Sequence, residues 1–230
     1  MIRVLSRVLP SVPFAAASAV PSAAPLRALA LAAACLMAAL PARATQDAWP
    51  ALFDVARVAS DDVLNVRSGP GARFDVVGTI PFDATRVEVI APSDDHRWGL
   101  VNAGEGTGWV SLAFLDRLPG QFDGAVPPIA RCFGTEPFWS LEVANGHWWL
   151  ERPDAPTLTA RQSFAVATLN DRRAHGFGAG GAGGGLHLLT LAGACGDGMS
   201  DRAYGLSAWL TVDPAGGEPG LLAGCCSLAD

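Results

Sequence analysis

The stretch that decides the fold of the first half of this chain is Leu64-Asn65-Val66-Arg67-Ser68-Gly69-Pro70-Gly71. Leu64 and Val66 alternate with Asn65 and Arg67, which predicts a short strand with one apolar and one polar face. The glycines and the proline that follow end this strand, because proline has no amide donor and glycine tolerates a positive φ. The stretch therefore predicts a strand that runs into a tight turn.

Residues 52–118 show the same pattern on both sides of that stretch. Short alternating segments are separated by turn signals such as Pro92-Ser93-Asp94-Asp95 and Gly104-Glu105-Gly106. No segment here keeps a helical period. Several short strands with such turns between them predict a small all-β barrel or sandwich.

Two tryptophan-containing phrases complete the pattern of this region: Trp98-Gly99-Leu100-Val101 and Gly108-Trp109-Val110. Together with the opening stretch, they make residues 53–118 resemble the bacterial SH3-like domain, a small and partly open β-barrel of the cell envelope. The resemblance implies binding of cell-wall peptides or of envelope proteins, and not catalysis. We therefore expect a peptidoglycan peptide or an envelope protein as the partner.

The candidate ligand site lies on the polar face of the first strand and on its neighbours. Arg67 offers a planar fork of donors that suits a peptide carboxylate, and Trp98 and Trp109 could form the wall of a groove. In the structural alternative, both tryptophans belong to the core and Arg67 only pairs with Asp61 or Asp62. The predicted ligand-binding residues are Asn65, Arg67, Asp94, Asp95, Trp98 and Trp109.

Residues 1–44 have the pattern of a signal peptide. Two arginines precede a run at residues 26–40 that is apolar except for Arg27, and Ala42-Arg43-Ala44 supplies the small-x-small cleavage pattern. We expect cleavage after Ala44, a periplasmic or secreted protein, and no membrane insertion afterwards. An uncleaved anchor, or a lipoprotein attached at Cys35, are the alternatives.

The charge of the chain limits the kind of partner. Its formal net charge is −6, and the first 44 residues contain four arginines but no carboxylate. Cleavage would therefore make the remaining chain more acidic still. A chain of this charge gives no electrostatic reason to expect nucleic-acid binding.

Four cysteines follow the signal-like segment: Cys132, Cys195, Cys225 and Cys226. An even number of cysteines in an exported chain predicts disulfides. A ring between the adjacent Cys225 and Cys226 would be strained, so we expect Cys132 and Cys195 each to bond to one of that pair. A soft-metal or redox site that uses the paired cysteines with Met199 is the rival, and it requires free thiols.

The second half of the chain predicts another β-domain, a barrel or sandwich at residues 129–230, after a proline-containing linker at 119–128. Asn145-Gly146 predicts a hairpin turn, whereas the glycine-rich residues 176–185 predict a flexible loop. The phrases "EPFW", "DGMSD" and "GCC", which begin at residues 136, 197 and 224, resemble a family of uncharacterised secreted or membrane-anchored bacterial domains. That resemblance implies no activity.

Catalysis is not expected of this second domain. Glu136, Asp197 and Asp201 could form an acid/base pair, which would make the protein a cell-envelope hydrolase. Loop carboxylates more often cap turns or pair with arginine, which is the interpretation that we favour here. The sequence therefore predicts an exported, non-enzymatic binding protein of two all-β domains, without a catalytic residue, metal or cofactor.

Overall fold

The computed structural model describes residues 46–229, which lie in one compact unit, residues 45–230. These residues form sixteen β-strands and one turn of 3-10 helix, so the predicted all-β class is confirmed. The predicted signal peptide and Cys35 fall outside the described residues. Within residues 46–229, no helix is long and apolar enough to span a membrane.

The first eight strands form two antiparallel sheets. The three-stranded sheet has the order β4-β1-β8, and the five-stranded sheet has the order β3-β2-β7-β6-β5. A 3-10 turn at Leu112–Phe114 precedes the last of these strands. The strands are β1 Ala51–Val55, β2 Val63–Arg67, β3 Val76–Pro81, β4 Val87–Val89, β5 Ala91–Pro92, β6 Trp98–Ala103, β7 Gly106–Ser111 and β8 Leu115–Arg117.

The opening stretch of the sequence forms β2 and the turn after it, as predicted. Leu64 and Val66 are buried in the core between the two sheets, because alternate residues of a strand face opposite sides. Neither Gly69 nor Gly71 has a positive φ, so the expected reason for these glycines is wrong. At Gly69 the requirement is space, because a Cβ there would lie 2.7 Å from the ring of Phe74.

The last eight strands form a closed barrel in which consecutive strands pair antiparallel and β16 returns to pair with β9. The predicted Asn145-Gly146 turn joins β10 to β11, with positive φ at both residues. The strands are β9 Arg131–Thr135, β10 Phe138–Ala144, β11 His147–Arg152, β12 Ala155–Ala167, β13 Ala174–Gly181, β14 Gly184–Cys195, β15 Tyr204–Pro214 and β16 Gly220–Ser227.

The glycine-rich run at residues 176–185 is not a loop, because most of it lies in the β13–β14 hairpin. Its glycines alternate with Phe177 and Ala179, whose side chains are buried in the barrel core. The ring of Phe164 occupies the space that a Cβ on Gly178 would need. Composition alone therefore misled the prediction, since the alternation and the pairing of neighbouring strands decide the structure here.

The interior of this barrel is a packed hydrophobic core. An eight-stranded barrel is just wide enough for its inward side chains to fill it. Large side chains with almost no exposure come from successive strands: Leu141, Trp148, Leu150, Leu186, Leu188 and Leu210. Ligand binding is therefore to be sought on the outer surfaces and between the sheets, where polar groups gather.

Both predicted disulfides are present, Cys132–Cys226 and Cys195–Cys225. Cys226 lies opposite Cys132 in the β9–β16 pairing, and both sulfurs belong to the barrel core. The soft-metal interpretation requires free thiols, and the four cysteines among residues 46–229 are all bonded in these two pairs.

The first eight strands pack against the barrel through β1 and β4. Leu52 of β1 belongs to the same buried cluster as Leu228, at the end of the barrel where β16 finishes. The side chain of Gln121, in the predicted linker, bonds both the N–H and the C=O of Leu52. On the other sheet, the Asn102 side chain bonds the N–H and the C=O of Ala203. Independent folding of residues 52–118 stays a prediction.

Candidate functional site

The predicted ligand-binding residues of β2, β6 and β7 lie on one face of the five-stranded sheet. Arg67 pairs with Trp109 across β2 and β7, and Trp109 pairs with Leu100 across β7 and β6. Asn65 and Trp98 lie two residues from members of this row, so strand alternation puts them on the same face. We call this surface, defined by Asn65, Arg67, Trp98, Leu100 and Trp109, the sheet face.

The guanidinium of Arg67 is held in place by the turn that follows β2. Its Nη1 donates a hydrogen bond to the carbonyl oxygen of Phe74 at 2.8 Å. It forms no ion pair with Asp61 or Asp62, so that alternative is wrong. Its Nε and Nη2 bond no other group of residues 46–229, and these donors remain able to bind a ligand.

The two tryptophans of the sheet face are half-buried. Neither Trp98 nor Trp109 belongs to the buried core cluster between the sheets, which Leu64, Val66 and Val110 form with their neighbours. Each indole therefore presents part of its surface to solvent. A partly exposed ring beside an arginine can pack against a ligand while the guanidinium bonds its polar end.

The two predicted aspartates lie in the turn before β6 and differ in their contacts. Asp95 accepts hydrogen bonds from the Ser93 hydroxyl at 2.7 Å and from the Arg97 amide at 3.1 Å. These bonds, the first above all, lower the pKa of Asp95. Asp94 is exposed. Asp95 therefore organises the turn that positions Trp98, and Asp94 is the more accessible carboxylate.

The carboxylates considered for catalysis lie in turns of the barrel. Asp197 accepts the backbone N–H groups of Met199 and Ser200, each at 2.9 Å, and the Ser200 hydroxyl at 2.7 Å. These bonds, the Ser200 amide first, lower the pKa of Asp197. Glu136 and Asp201 are exposed. The contacts of Asp197 are those of a turn cap, as the favoured interpretation expected.

A polar cleft between the first eight strands and the barrel was not anticipated from the sequence. It has a volume of about 630 Å³. Its charged and hydrogen-bonding lining includes Arg86, Glu88, Asn102, Glu105, Arg131, Asp197, Arg202 and Tyr204. We call it the arginine cleft, because arginines from three separate segments of the chain line it.

Glu88 is half-buried in the wall of this cleft. Its Oε2 accepts the N–H of Leu228 at 3.0 Å and that of Ala229 at 3.4 Å, while the buried Oε1 has no partner among the described residues. Burial raises the pKa of Glu88 to about 7, and the two amides and the charge of Arg202 oppose part of this rise. In the sequence Glu88 is only one polar residue between two valines, which gives no sign of burial.

Comparison with known proteins identifies one part of the chain. The family model described as "Bacterial SH3 domain" matches residues 62–116. No curated protein and no solved structure matches the chain. The relation suggested by the "EPFW", "DGMSD" and "GCC" phrases lies outside the match and stays a prediction.

The family match indicates what kind of role the domain has and which compartment is compatible with the protein. Such a domain suggests a binding role of the kind found in cell-wall-associated proteins. Together with two disulfides, it is compatible with a location outside the cytoplasm. The strands of residues 62–116, with their buried Leu64 and Val66, agree with the matched family: this segment of the chain is a bacterial SH3 domain.

Proposed function

We propose that this protein is an exported binding protein of the cell envelope, and that its SH3 domain binds a peptide or cell-wall ligand on the sheet face. The observation that carries the proposal is the pairing of Arg67 with Trp109 across β2 and β7. A guanidinium with free donors thereby lies beside a half-buried indole. This combination suits a peptide end, which has a carboxylate and an adjoining apolar surface.

Preorganisation of Arg67 supports the proposal. Its bond to the Phe74 carbonyl fixes the guanidinium before any ligand arrives. A ligand therefore loses less free energy to the ordering of a long side chain than it would at a mobile arginine. Arg67 is expected to bond the carboxylate, and Trp98 and Trp109 to contact the apolar part of the ligand.

We infer binding without catalysis. The turn-capping bonds of Asp197 leave it poorly suited to act as a general acid or base, which supports this inference. The disulfides support an oxidising compartment, so we place the protein in the periplasm or outside the cell. Its negative charge favours a wall peptide or an envelope protein over nucleic acid as the partner.

Co-sedimentation with purified cell wall tests this function. The wild-type protein should sediment with the wall, and Arg67→Ala should remain largely in the supernatant. Arg73→Ala is the matched control, because Arg73 is an exposed arginine of the same turn whose guanidinium lies 4.9 Å from the centre of the Phe74 ring. Equal sedimentation of the wild type and Arg67→Ala would exclude the sheet face as the wall-binding site.

A pulldown from envelope extract distinguishes the two partner classes. If the wild-type protein does not sediment with the wall but captures an envelope protein, the ligand is a peptide segment of that protein. Arg67→Ala should then abolish the capture. Capture that is unchanged by Arg67→Ala would contradict the proposal.

A further inference from the structure

The arginine cleft brings together three guanidinium groups that are far apart in the sequence. Arg86 comes directly before β4, Arg131 begins β9, and Arg202 lies in the segment between β14 and β15. All three side chains are exposed. Packing of the SH3 domain on the barrel is what places them around one cavity of about 630 Å³.

None of these three arginines forms an ion pair with a carboxylate of residues 46–229. Elsewhere in the same residues, Arg57, Arg117, Arg172 and Arg173 each pair with an aspartate. The guanidinium donors of the three cleft arginines are therefore available to an anion that enters the cavity.

None of the three carboxylates that line the cleft forms an ion pair with these arginines. Asp197 directs both of its oxygens to the turn at Met199 and Ser200. Glu88 directs Oε2 to the backbone amides after β16. Glu105 lines the cleft as an exposed side chain.

The wall of the cleft orients one of the guanidinium groups. Arg131 lies over the ring of Phe133, 5.5 Å from its centre, and that ring packs edge-to-face on Tyr204 with 4.8 Å between the ring centres. Stacking on an aromatic ring restricts the guanidinium plane and leaves its N–H donors free at the edge. Planar donors of this kind match the oxygens of a carboxylate or a phosphate.

We propose that the arginine cleft is an oxyanion-binding site, in which Arg131 and Arg202, with Arg86 beside them, hold a carboxylate or phosphate group of a small ligand. None of the residues that line this site belongs to the sheet face, and the proposal does not depend on the function proposed there. Because it takes residues from both the SH3 domain and the barrel, a bound anion would also hold the two together.

Glu88 makes this binding depend on pH. Its Oε2 accepts two amide N–H groups, so the proton of the neutral form lies on Oε1. Since the pKa of Glu88 is about 7, the group is neutral in mildly acidic solution and becomes negative as the pH rises. The other ionisable groups that face it in the cleft are the three arginines, Glu105, Asp197 and Tyr204. An added negative charge beside Glu105 and Asp197 weakens the attraction for an anion.

Calorimetric titration of the whole protein tests the site. The probes are inorganic phosphate and an N-acetylated dipeptide with a free carboxylate, and the matching dipeptide amide serves as the uncharged probe. We expect at least one of the oxyanions to bind at pH 6 and the amide not to bind. Binding of phosphate alone, or of the dipeptide alone, identifies which source of oxyanion the cleft takes. No binding of either, or equal binding of the amide, would overturn the proposal.

Variants locate the bound anion. Arg202→Gln and Arg131→Gln should each weaken the titration by about tenfold or more, the effect of one charge-assisted hydrogen bond. Arg161→Gln, at an exposed arginine on β12 of the barrel, removes the same charge elsewhere and should leave it unchanged. Arg67→Ala should also leave it unchanged, which separates this site from the sheet face. Undiminished binding in both cleft variants, with unchanged melting, would refute the assignment.

Titration at several pH values tests the role of Glu88, because a residue with only a structural role would not change the pH dependence of the affinity. With the dipeptide, whose carboxylate stays ionised over this range, wild-type affinity should fall between pH 6 and pH 8, and the affinity of Glu88→Gln should stay nearly constant. Inorganic phosphate gains negative charge over the same range, so with that probe the ratio of wild-type to Glu88→Gln affinity is the quantity that should fall. An identical pH dependence in the wild type and in Glu88→Gln would show that Glu88 does not control the cleft.

Discussion

Cys225 and Cys226 are adjacent in β16, yet their disulfides lie on opposite faces of the barrel wall. Cys226 bonds Cys132 within the barrel core, whereas Cys225 bonds Cys195 at the end of β14 and lies outside that core cluster. Successive side chains of a strand point to opposite faces. The side chains of Cys225 and Cys226 therefore point in opposite directions, and each bonds a different cysteine.

Each disulfide should stabilise the barrel by an amount that depends on the loop it closes. The Cys132–Cys226 bond spans 94 residues, and the Cys195–Cys225 bond spans 30. In the chain-entropy account, replacing either pair by alanine costs about 3–5 kcal/mol, with the longer loop at the upper end. Urea unfolding of the two double-alanine variants measures the difference. A larger loss for the Cys195–Cys225 pair would contradict the entropic explanation.

Arg67→Ala should weaken binding of the wall or peptide ligand by about 1.5–3 kcal/mol, the value of a hydrogen bond to a charged group. The fold should survive, because Leu64 and Val66 remain in the core. Arg67→Lys should restore only part of the affinity, since an ammonium cannot form two parallel bonds. Sedimentation with purified cell wall, beside thermal melting of each variant, measures both effects. Affinity lost only in step with stability would mean that Arg67 has a structural role alone.

Trp109 and Trp148 form a matched pair that separates a ligand-contacting tryptophan from a core tryptophan. Trp148 is 1% exposed in the barrel core, so Trp148→Ala should cost about 3–5 kcal/mol of stability. Trp109 is half-buried on the sheet face, and Trp109→Ala should cost less than half of this while lowering ligand affinity. Chemical denaturation of both variants decides the point. If Trp109→Ala lost as much stability as Trp148→Ala, Trp109 would have to be regarded as a core residue.

Glu88 should make the stability of the protein fall as the pH rises. Its pKa is about 7 in the folded state and 4.5 in the reference state, so folding favours the protonated form. This contribution is complete below about pH 4.5 and is lost as the pH rises to about 7. The loss is about 3 kcal/mol at 1.36 kcal/mol per pKa unit. Free energies of unfolding from pH 4 to pH 8 should show this decline in the wild type and not in Glu88→Gln. A parallel decline in both would place the responsible group elsewhere.

Leu52 tests how far residues 52–118 behave as an independent domain. The sequence predicts that this fragment melts cooperatively by itself. In the whole protein Leu52 is buried against the barrel cluster that contains Leu228, so Leu52→Ala there should cost about 2–5 kcal/mol. In a fragment of residues 46–118 the same change should cost less than about 1 kcal/mol, because that packing is absent. A fragment that is molten or insoluble would argue for one merged domain.

Local patterns account for what could be predicted of the fold. Alternation at Leu64 and Val66 predicted β2, and Asn145-Gly146 predicted a hairpin. The same reasoning failed where composition outweighed pattern: the glycines of residues 176–185 indicated a loop, although Phe177 and Ala179 alternate with them as inward residues of β13. Pairing with β12 and β14 holds this segment extended, and no propensity scale includes that pairing.

The sheet face could be predicted in part from the sequence, whereas the arginine cleft could not. Arg67 and Trp109 lie on strands whose alternation is visible in the sequence, so their common face could be inferred. Their direct pairing, and the bond from Arg67 to Phe74 instead of Asp61 or Asp62, required the register of the strands and the path of the turn.

By itself, the sequence determined the all-β class, the two sets of strands and the bonding of Cys132 and Cys195 to the adjacent pair, because each depends on short-range alternation, turn residues or a count of cysteines. The SH3 domain followed from the resemblance of its motifs to a known family. Which of Cys225 and Cys226 each cysteine bonds required the strand register.

Only the tertiary structure decided what gathers between the two parts. No sequence pattern links Arg86, Arg131 and Arg202, which lie in three separate segments. The alternation of β4 predicts that the polar Glu88 faces water. Packing of β1 and β4 against the end of the barrel buries that carboxylate and brings the three guanidinium groups to one cavity.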